Sequence, residues 1–217
     1  MLYYETIHPD TLELLKKIQS LELFAETRLV GGTALALQIG HRKSVDLDFF
    51  GHMEASLEEI AMELSEFADV KPLSSSKAMR FLIVDGVKVD IVNYPYGWID
   101  NPVIENGVIL AGVKDIAPMK LSAITNRGTK KDFIDLYFLL KRYSFNELVD
   151  FYLKKYSDAQ LFTVLKSLTY FDDAEIDPLP VMAEPVNWDE IKTAIVKAVH
   201  QYLNQSLDKY LSHQTLH

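Results

Sequence analysis

The chain has no cysteine, which excludes disulfides, thiolate nucleophiles and cysteine-based zinc sites. It is also short of positive charge: 22 Lys and Arg stand against 31 Asp and Glu, for a net charge of −9. Sequence-independent nucleic-acid binding depends on neutralising phosphates with Lys and Arg, so the average charge opposes it. A local basic cluster would still serve to hold one end of an RNA. No apolar run approaches the roughly 18 residues of a membrane span. The opening MLYYETIHPD lacks the basic and apolar regions of a secretory signal. A soluble, cytoplasmic protein with no membrane association is expected. What is present in quantity is apolar side chain: 48% of 217 residues, with 11 Tyr and 11 Phe. That is enough core for one large domain or two small ones, and there is no internal repeat.

The chain is organised around residues 29–50, LVGGTALALQIGHRKSVDLDFF. An apolar start reaches Gly31-Gly32, a helix-period run follows from Thr33 to Ile39, and Gly40 stops it, as glycine does at the C′ position. Val45-Asp46-Leu47-Asp48-Phe49 alternates apolar and polar, which predicts a strand. Alternation would set Asp46 and Asp48 on one face, about 6.6 Å apart. Glycines at a strand-to-helix turn let backbone N–H groups approach a phosphate, and the helix N-terminus adds partial positive charge. Two neighbouring carboxylates repel each other unless a hard divalent cation sits between them; Mg²⁺ uses one or two carboxylates plus substrate phosphates. The combination suggests metal-assisted phosphoryl or nucleotidyl transfer. Taken singly, a D-x-D on an amphipathic strand is usually the wet face of a sheet, and Gly-Gly is usually a turn.

Further along, a helix over residues 9–20 is predicted from an Asp10/Glu13 capping box and the stripe Leu12, Leu15, Ile18. Another, residues 57–68, starts at Ser56-Leu-Glu-Glu59. Asp85-Gly86 between apolar runs predicts a hairpin with a type I′ turn. It leaves Asp90 mid-strand between Val89 and Ile91, where an acid costs several kcal/mol unless it is paired or ligates a metal; the alternative is an edge-strand acid facing water. Residues 92–102 read as an aromatic loop, packed in itself or open to a base. Residues 108–112 form a short strand. From Asp115, expected to cap a helix, the composition turns helical. Gly128 breaks that helix, and the next one, residues 130–142, carries Asp132 and Asp135 on one face. On spacing alone, Lys120 and Arg127 with this acid pair are helix-surface ion pairs, usually worth little. Ser144…Glu147 caps a further helix, and residues 157–170 form another. YFDDAEIDPLP is an acidic, solvated loop whose Asp172, Asp173 and Glu175 are alternatively ligands. Asn187…Glu190 starts a last helix striped by Ile191, Ile195 and Tyr202. His213 and His217 read as a frayed tail.

Gly31-Gly32, thirteen residues and Asp46-Leu-Asp48 resemble the signature of the DNA polymerase β-like nucleotidyltransferase superfamily. The longer string GGTALALQIGHRKSVDLDFF resembles a narrower group, the abortive-infection (AbiEii/AbiGii-type) nucleotidyltransferase toxins. The likeness recurs at residues 115–136, where K-L-S-A-I…R…K-K-D-F-I-D-L is similar to the group's second block, and at residues 170–180. The superfamily often has Gly-Ser where this chain has Gly31-Gly32-Thr33, so Thr33 would be the hydroxyl offered to a phosphate. The resemblance implies a catalytic set of Asp46, Asp48, Asp90 and Lys120. The three aspartates would hold Mg²⁺ or Mn²⁺. Substrate-binding residues would be Gly31, Gly32, Thr33, Arg42, Ser44, Arg127, Lys131, Asp132 and Asp135, with Lys120 and Arg127 on triphosphate oxygens.

The expected fold is α/β (α+β): a mixed sheet flanked by helices over residues 1–113, the nucleotidyltransferase core. A helical bundle over residues 114–217 would complete the nucleotide cleft. The expected activity moves a nucleoside monophosphate from an NTP to an acceptor, releasing pyrophosphate. The resemblance implies RNA, such as a tRNA 3′ end, as acceptor, with protein as the rival, and an antitoxin encoded nearby as partner. Two other readings use the same residues: a non-catalytic nucleotide-binding sensor and a metal-dependent phosphodiesterase.

Overall fold

The computed structural model of the protein describes residues 1–158 and 160–214, with residues 209–214 as backbone only. The side chains of His213 and His217 therefore lie outside the described residues. The chain divides into two compact units, Met1–Ile116 with Pro180–Glu184, and Ala117–Leu179 with Pro185–His217.

The first unit is built on a seven-stranded mixed sheet. In chain order the elements are α1 (Pro9–Ser20), β1 (Thr27–Val30), α2 (Gly31–Ile39), β2 (Leu47–Gly51) and α3 (Leu57–Leu64). Strands β3 (Val70–Ser75), β4 (Met79–Val84), β5 (Val87–Asn93), β6 (Val103–Glu105) and β7 (Val108–Leu110) follow. The spatial order is β3-β4-β5-β2-β1-β7-β6. The pairs β2–β5 and β1–β7 are parallel, and the rest are antiparallel. Period-two alternation and the register divide the central strands into two faces. Leu29, Leu47, Phe49, Leu82, Val84, Val89 and Ile91 share one face and are fully buried. The opposite face carries Asp48 and Asp90, both only half-buried. The fully buried apolar face packs on the core; the other face sets Asp48 and Asp90 among Phe50, Phe81, Ile83 and Val92, which are half-buried.

Local chemistry explains the turns. The β4–β5 hairpin has Asp85 at φ 48° and Gly86 at φ 78°, both central residues of a type I′ turn in the left-handed region. α3 starts with a complete capping box between Ser56 and Glu59. α1, however, is capped by His8, whose side chain accepts from the Asp10 N–H, with Pro9 at the first helical position, where its missing N–H costs nothing. β3 and β6 were not anticipated. β3, Val-Lys-Pro-Leu-Ser-Ser, is exposed along most of its length and has no apolar alternation, so only its pairing with β4 makes it a strand.

α4 (Val113–Arg127) runs from the first unit into the second. α5 (Lys130–Leu140), α6 (Phe145–Lys155), α7 (Leu161–Ser167), α8 (Asp172–Glu175) and α9 (Trp188–Gln214) belong to the second. Asp115 does not cap α4. It is fully buried within the first turn, and its carboxylate accepts the N–H groups of Ile99 and Asp100, fastening the aromatic loop. The acidic segment after α7 contains the short helix α8. Its aromatic neighbour Phe171 packs on Phe133 with ring centroids 4.8 Å apart, and Trp188 closes the cluster at 6.0 Å from Phe171. Ile191, Ile195 and Val199 give α9 its buried stripe.

Candidate active site

β1 delivers the chain directly into α2 at the glycine pair. The N-cap of α2 is Val30, whose side chain has no acceptor, so no side-chain cap serves the first N–H groups of the helix. Gly31 adopts φ +68°, a conformation natural to glycine. The absence of side chains here has a second use. A Cβ on Gly31 would stand 2.2 Å from Asp48 Oδ2, and one on Gly32 would stand 2.3 Å from Arg42 Nη2 and 3.5 Å from Ser44 Oγ. The uncapped helix end is thus flanked by a carboxylate on one side and a guanidinium with a hydroxyl on the other.

The loop between α2 and β2 sets these groups. Thr33 is 1% exposed; its hydroxyl donates to the Asp46 carbonyl and shares a 2.8 Å hydrogen bond with the Ser44 hydroxyl. In this structure the Thr33 hydroxyl closes the loop. Arg42 is 3% exposed and donates to the Lys43 carbonyl. The loop is also clamped from far along the chain: Lys43 N–H donates to the Val181 carbonyl, Ala183 N–H to the His41 carbonyl, and Arg42 forms an isolated bridge with Met182. Residues 180–184 carry no motif, and their place beside the loop had no local signal.

β2 begins at Leu47, two residues later than the alternation suggested, and Val45 is 66% exposed. The strand geometry that would align Asp46 with Asp48 therefore does not reach Asp46. Asp48 gains a different neighbour. In the parallel β2–β5 pair it sits directly opposite Asp90. Parallel partners share a face, so two carboxylates lie side by side on neighbouring strands, whose axes are about 4.8 Å apart. The Asp90 side chain is 15% exposed; Lys88 Nζ lies 2.5 Å from Oδ2, while Oδ1 is buried with no hydrogen-bond partner. A buried carboxylate oxygen without a donor is costly, and a cation at that point would explain it. Among the described residues no three His, Cys, Asp or Glu side chains are grouped as metal ligands. The pair Asp48–Asp90, with its orphan oxygen, fits a hard cation such as Mg²⁺ or Mn²⁺ in donor type and charge.

In the second unit the structure brings Lys120, Asp132 and Asp135 together. Lys120 Nζ lies 3.0 Å from Asp132 Oδ1 and 2.7 Å from Asp135 Oδ2, and the three residues are 6%, 4% and 0% exposed. These are buried ion pairs, where spacing alone suggested surface ones. Asp132 also accepts the Thr129 hydroxyl at 2.5 Å. Burial pushes the Asp132 carboxyl up, but the Lys120 ammonium and the Thr129 hydroxyl outweigh it, so the group is held below its ordinary range. Arg127 is exposed at the end of α4, and Lys131 is half-buried. Asp177, which the sequence did not single out, accepts the Lys130 N–H, and Lys130 Nζ in turn donates to the Glu175 and Asp177 carbonyls. Asp172 and Asp173 face solvent.

Residues 13–213 match the family model described as nucleotidyl transferase AbiEii toxin, type IV toxin–antitoxin system. The chain is 37% identical over 197 residues to the Aquifex aeolicus protein aq_aa25, covering 88% of this chain and 95% of that one. Among solved structures, the fold is similar to a putative nucleotidyltransferase from Helicobacter pylori (TM-score 0.62, 20% identity, 93% of this chain and 95% of that one). It is also similar to MenT4, a nucleotidyltransferase toxin from Mycobacterium tuberculosis (TM-score 0.51, 16% identity, 88% and 84%). With a glycine turn, a facing aspartate pair and a family match over nearly the whole length, the chain belongs to the AbiEii nucleotidyltransferase toxin family.

Proposed function

We propose that this nucleotidyltransferase moves a nucleoside monophosphate from an NTP to a hydroxyl of an acceptor RNA, with Asp48 and Asp90 at the reacting centre. One observation carries the residue assignment. The Asp48 carboxylate lies against the Cα of Gly31 and opposite Asp90, whose Oδ1 is buried without a donor. The uncapped N–H groups at the start of α2 would hold phosphate oxygens, favoured by the helix dipole, and Arg42 beside Gly32 adds a fixed positive charge. Asp48 and Asp90 would hold Mg²⁺ or Mn²⁺, which when bound supplies charge neutralisation at the phosphates.

The acceptor oxygen forms a bond to the α-phosphorus as the bond to the bridging α–β oxygen breaks. Pyrophosphate leaves with that electron pair, and the hydroxyl proton passes to a carboxylate oxygen of Asp90. Thr33 and Ser44 position the loop that carries Arg42, and Asp46 contributes its carbonyl to the same loop. Lys120 is enclosed by Asp132 and Asp135, so it would act by holding α4 and α5 in place. Arg127 is the exposed cation of that block. An antitoxin partner follows from the family's type IV toxin–antitoxin character.

The test is incubation with each α-³²P-labelled NTP, Mg²⁺ or Mn²⁺, and total RNA or total protein. The expected result is label that enters an RNase-sensitive product. Label in a protease-sensitive product would make a protein the acceptor. NTP binding with no transfer to either would reduce the site to a nucleotide sensor.

A further inference from the structure

The second unit holds a groove of about 450 Å³ where the end of α5 and the start of α6 meet α9. It is lined by Tyr137, Lys141, Tyr143, Lys197 and Tyr202, with the side-chain amides of Asn146, Gln201 and Gln205. A second hollow, about 500 Å³, continues along α9 through Lys197 and Gln201 to Lys192 and His200. The charge here is opposite to that of the chain. With 31 acidic residues in 217, about two are expected among the groove's thirteen lining residues. None of the thirteen is Asp or Glu, and none of the seven around the adjoining hollow is either. Lys192 is engaged by Glu175 and Asp189, whereas Lys141 and Lys197 are exposed. Lys141 Nζ stands 4.5 Å from the centre of the Tyr137 ring, which pins the cation beside an aromatic wall.

We propose that this groove is the docking site for a single-stranded segment of the acceptor nucleic acid. The identity of that ligand as the acceptor rests on the transfer reading above; the binding itself does not. Cations alone would suit any polyanion. Tyr143 and Tyr202 bring rings on which bases stack whatever their sequence, beside the Tyr137 ring that carries Lys141. Gln201, and Asn146 and Gln205, which are joined to each other at 3.0 Å, keep further donors and acceptors for base edges. An acidic peptide would use the lysines and leave the rings idle. The volume suits one or two nucleotides in the groove, with the strand continuing along α9. Because the rest of the chain is acidic, binding concentrates where the acid is missing.

The test is fluorescence anisotropy of a 5′-labelled 12-nucleotide RNA, without NTP or divalent metal, titrated at several KCl concentrations. Each phosphate contact on a single strand contributes about 0.7 to the slope of log K against log[KCl]. Lys141→Gln/Lys197→Gln should therefore flatten the slope by about 1.4, equivalent to roughly 25-fold weaker binding at 0.1 M KCl. Lys71→Gln/Lys77→Gln, exposed and equal in charge change, should leave the slope alone. Tyr143→Leu should weaken binding roughly fivefold to a hundredfold at unchanged slope. Equal losses in both lysine pairs would overturn the proposal, as would no loss in either. Unchanged RNA affinity with weakened binding to poly-glutamate would overturn it in favour of an acidic protein partner. If RNA affinity falls as expected while the wild type transfers no label, the groove stands and the transfer reading fails. If limiting RNA is labelled equally by wild type and double variant, the reverse holds.

Discussion

Gly31→Ala separates the structural and chemical roles of the glycine turn. Gly31 has φ +68°, and an ideal Cβ there would lie 2.2 Å from Asp48 Oδ2. Ordinary contact begins at 3.4 Å, so carboxylate and turn must separate by 3.4 − 2.2, or 1.2 Å. Holding a non-glycine residue in the left-handed region costs about 1–3 kcal/mol. At roughly 2–4 °C per kcal/mol for a chain of this size, Tm should fall by about 2–12 °C. A misplacement of about 1 Å costs on the order of a hundredfold in rate, so kcat should drop by about that factor even below the new Tm. Gly32→Ala is the control for strain. Its backbone is ordinary, and the atom met, Arg42 Nη2 at 2.3 Å, is the end of a side chain rather than backbone. Stability should change by less than about 1 kcal/mol while NTP affinity falls. The assay is thermal unfolding beside label transfer at saturating NTP and fixed temperature. A Gly31→Ala protein with wild-type Tm and wild-type kcat would refute the placement of Asp48 against the turn.

Three further outcomes are expected. Asp48→Asn removes one of two facing carboxylates without changing shape, so Tm should hold or rise. Lost charge stabilisation of several kcal/mol should cut kcat by roughly a hundredfold or more, read by steady-state kinetics with saturating acceptor. Lys120→Met removes the ammonium between the buried Asp132 and Asp135 carboxylates, which should cost about 3–5 kcal/mol in urea unfolding; a loss under 1 kcal/mol would show the cluster to be incidental. Asp132 has its folded pKa depressed, so its contribution is present above the unfolded carboxylate value and is lost as pH falls through the lower folded value. Stability measured from pH 7 downward should therefore decline below about pH 4, and the decline should be shallower in Asp132→Asn.

Many of the turns and helix starts of both units are written locally. Asp85-Gly86 specifies its turn because both positions need positive φ, and Ser56/Glu59 and Ser144/Glu147 cap their helices through contacts three residues apart. The glycine pair, α2 and its stop at Gly40 are likewise properties of residues 30–40. What the tertiary structure alone decides is which groups meet. Asp90 stands opposite Asp48 through a register between strands more than thirty residues apart, fixed by burying Leu47, Phe49, Val89 and Ile91 on the other face. Asp46 has the same residue type and the expected spacing, yet the ladder starts one residue after it. Lys120 carries the sequence signal of a surface helix cation, and only the docking of α5 on α4 encloses it between two carboxylates. Residues 180–184 join the loop of Arg42 through backbone hydrogen bonds that every sequence can make. Capping and turn chemistry act over a few residues and show in the order of side chains. Strand register and burial are set by how the whole apolar surface is best covered, and no local pattern carries that information.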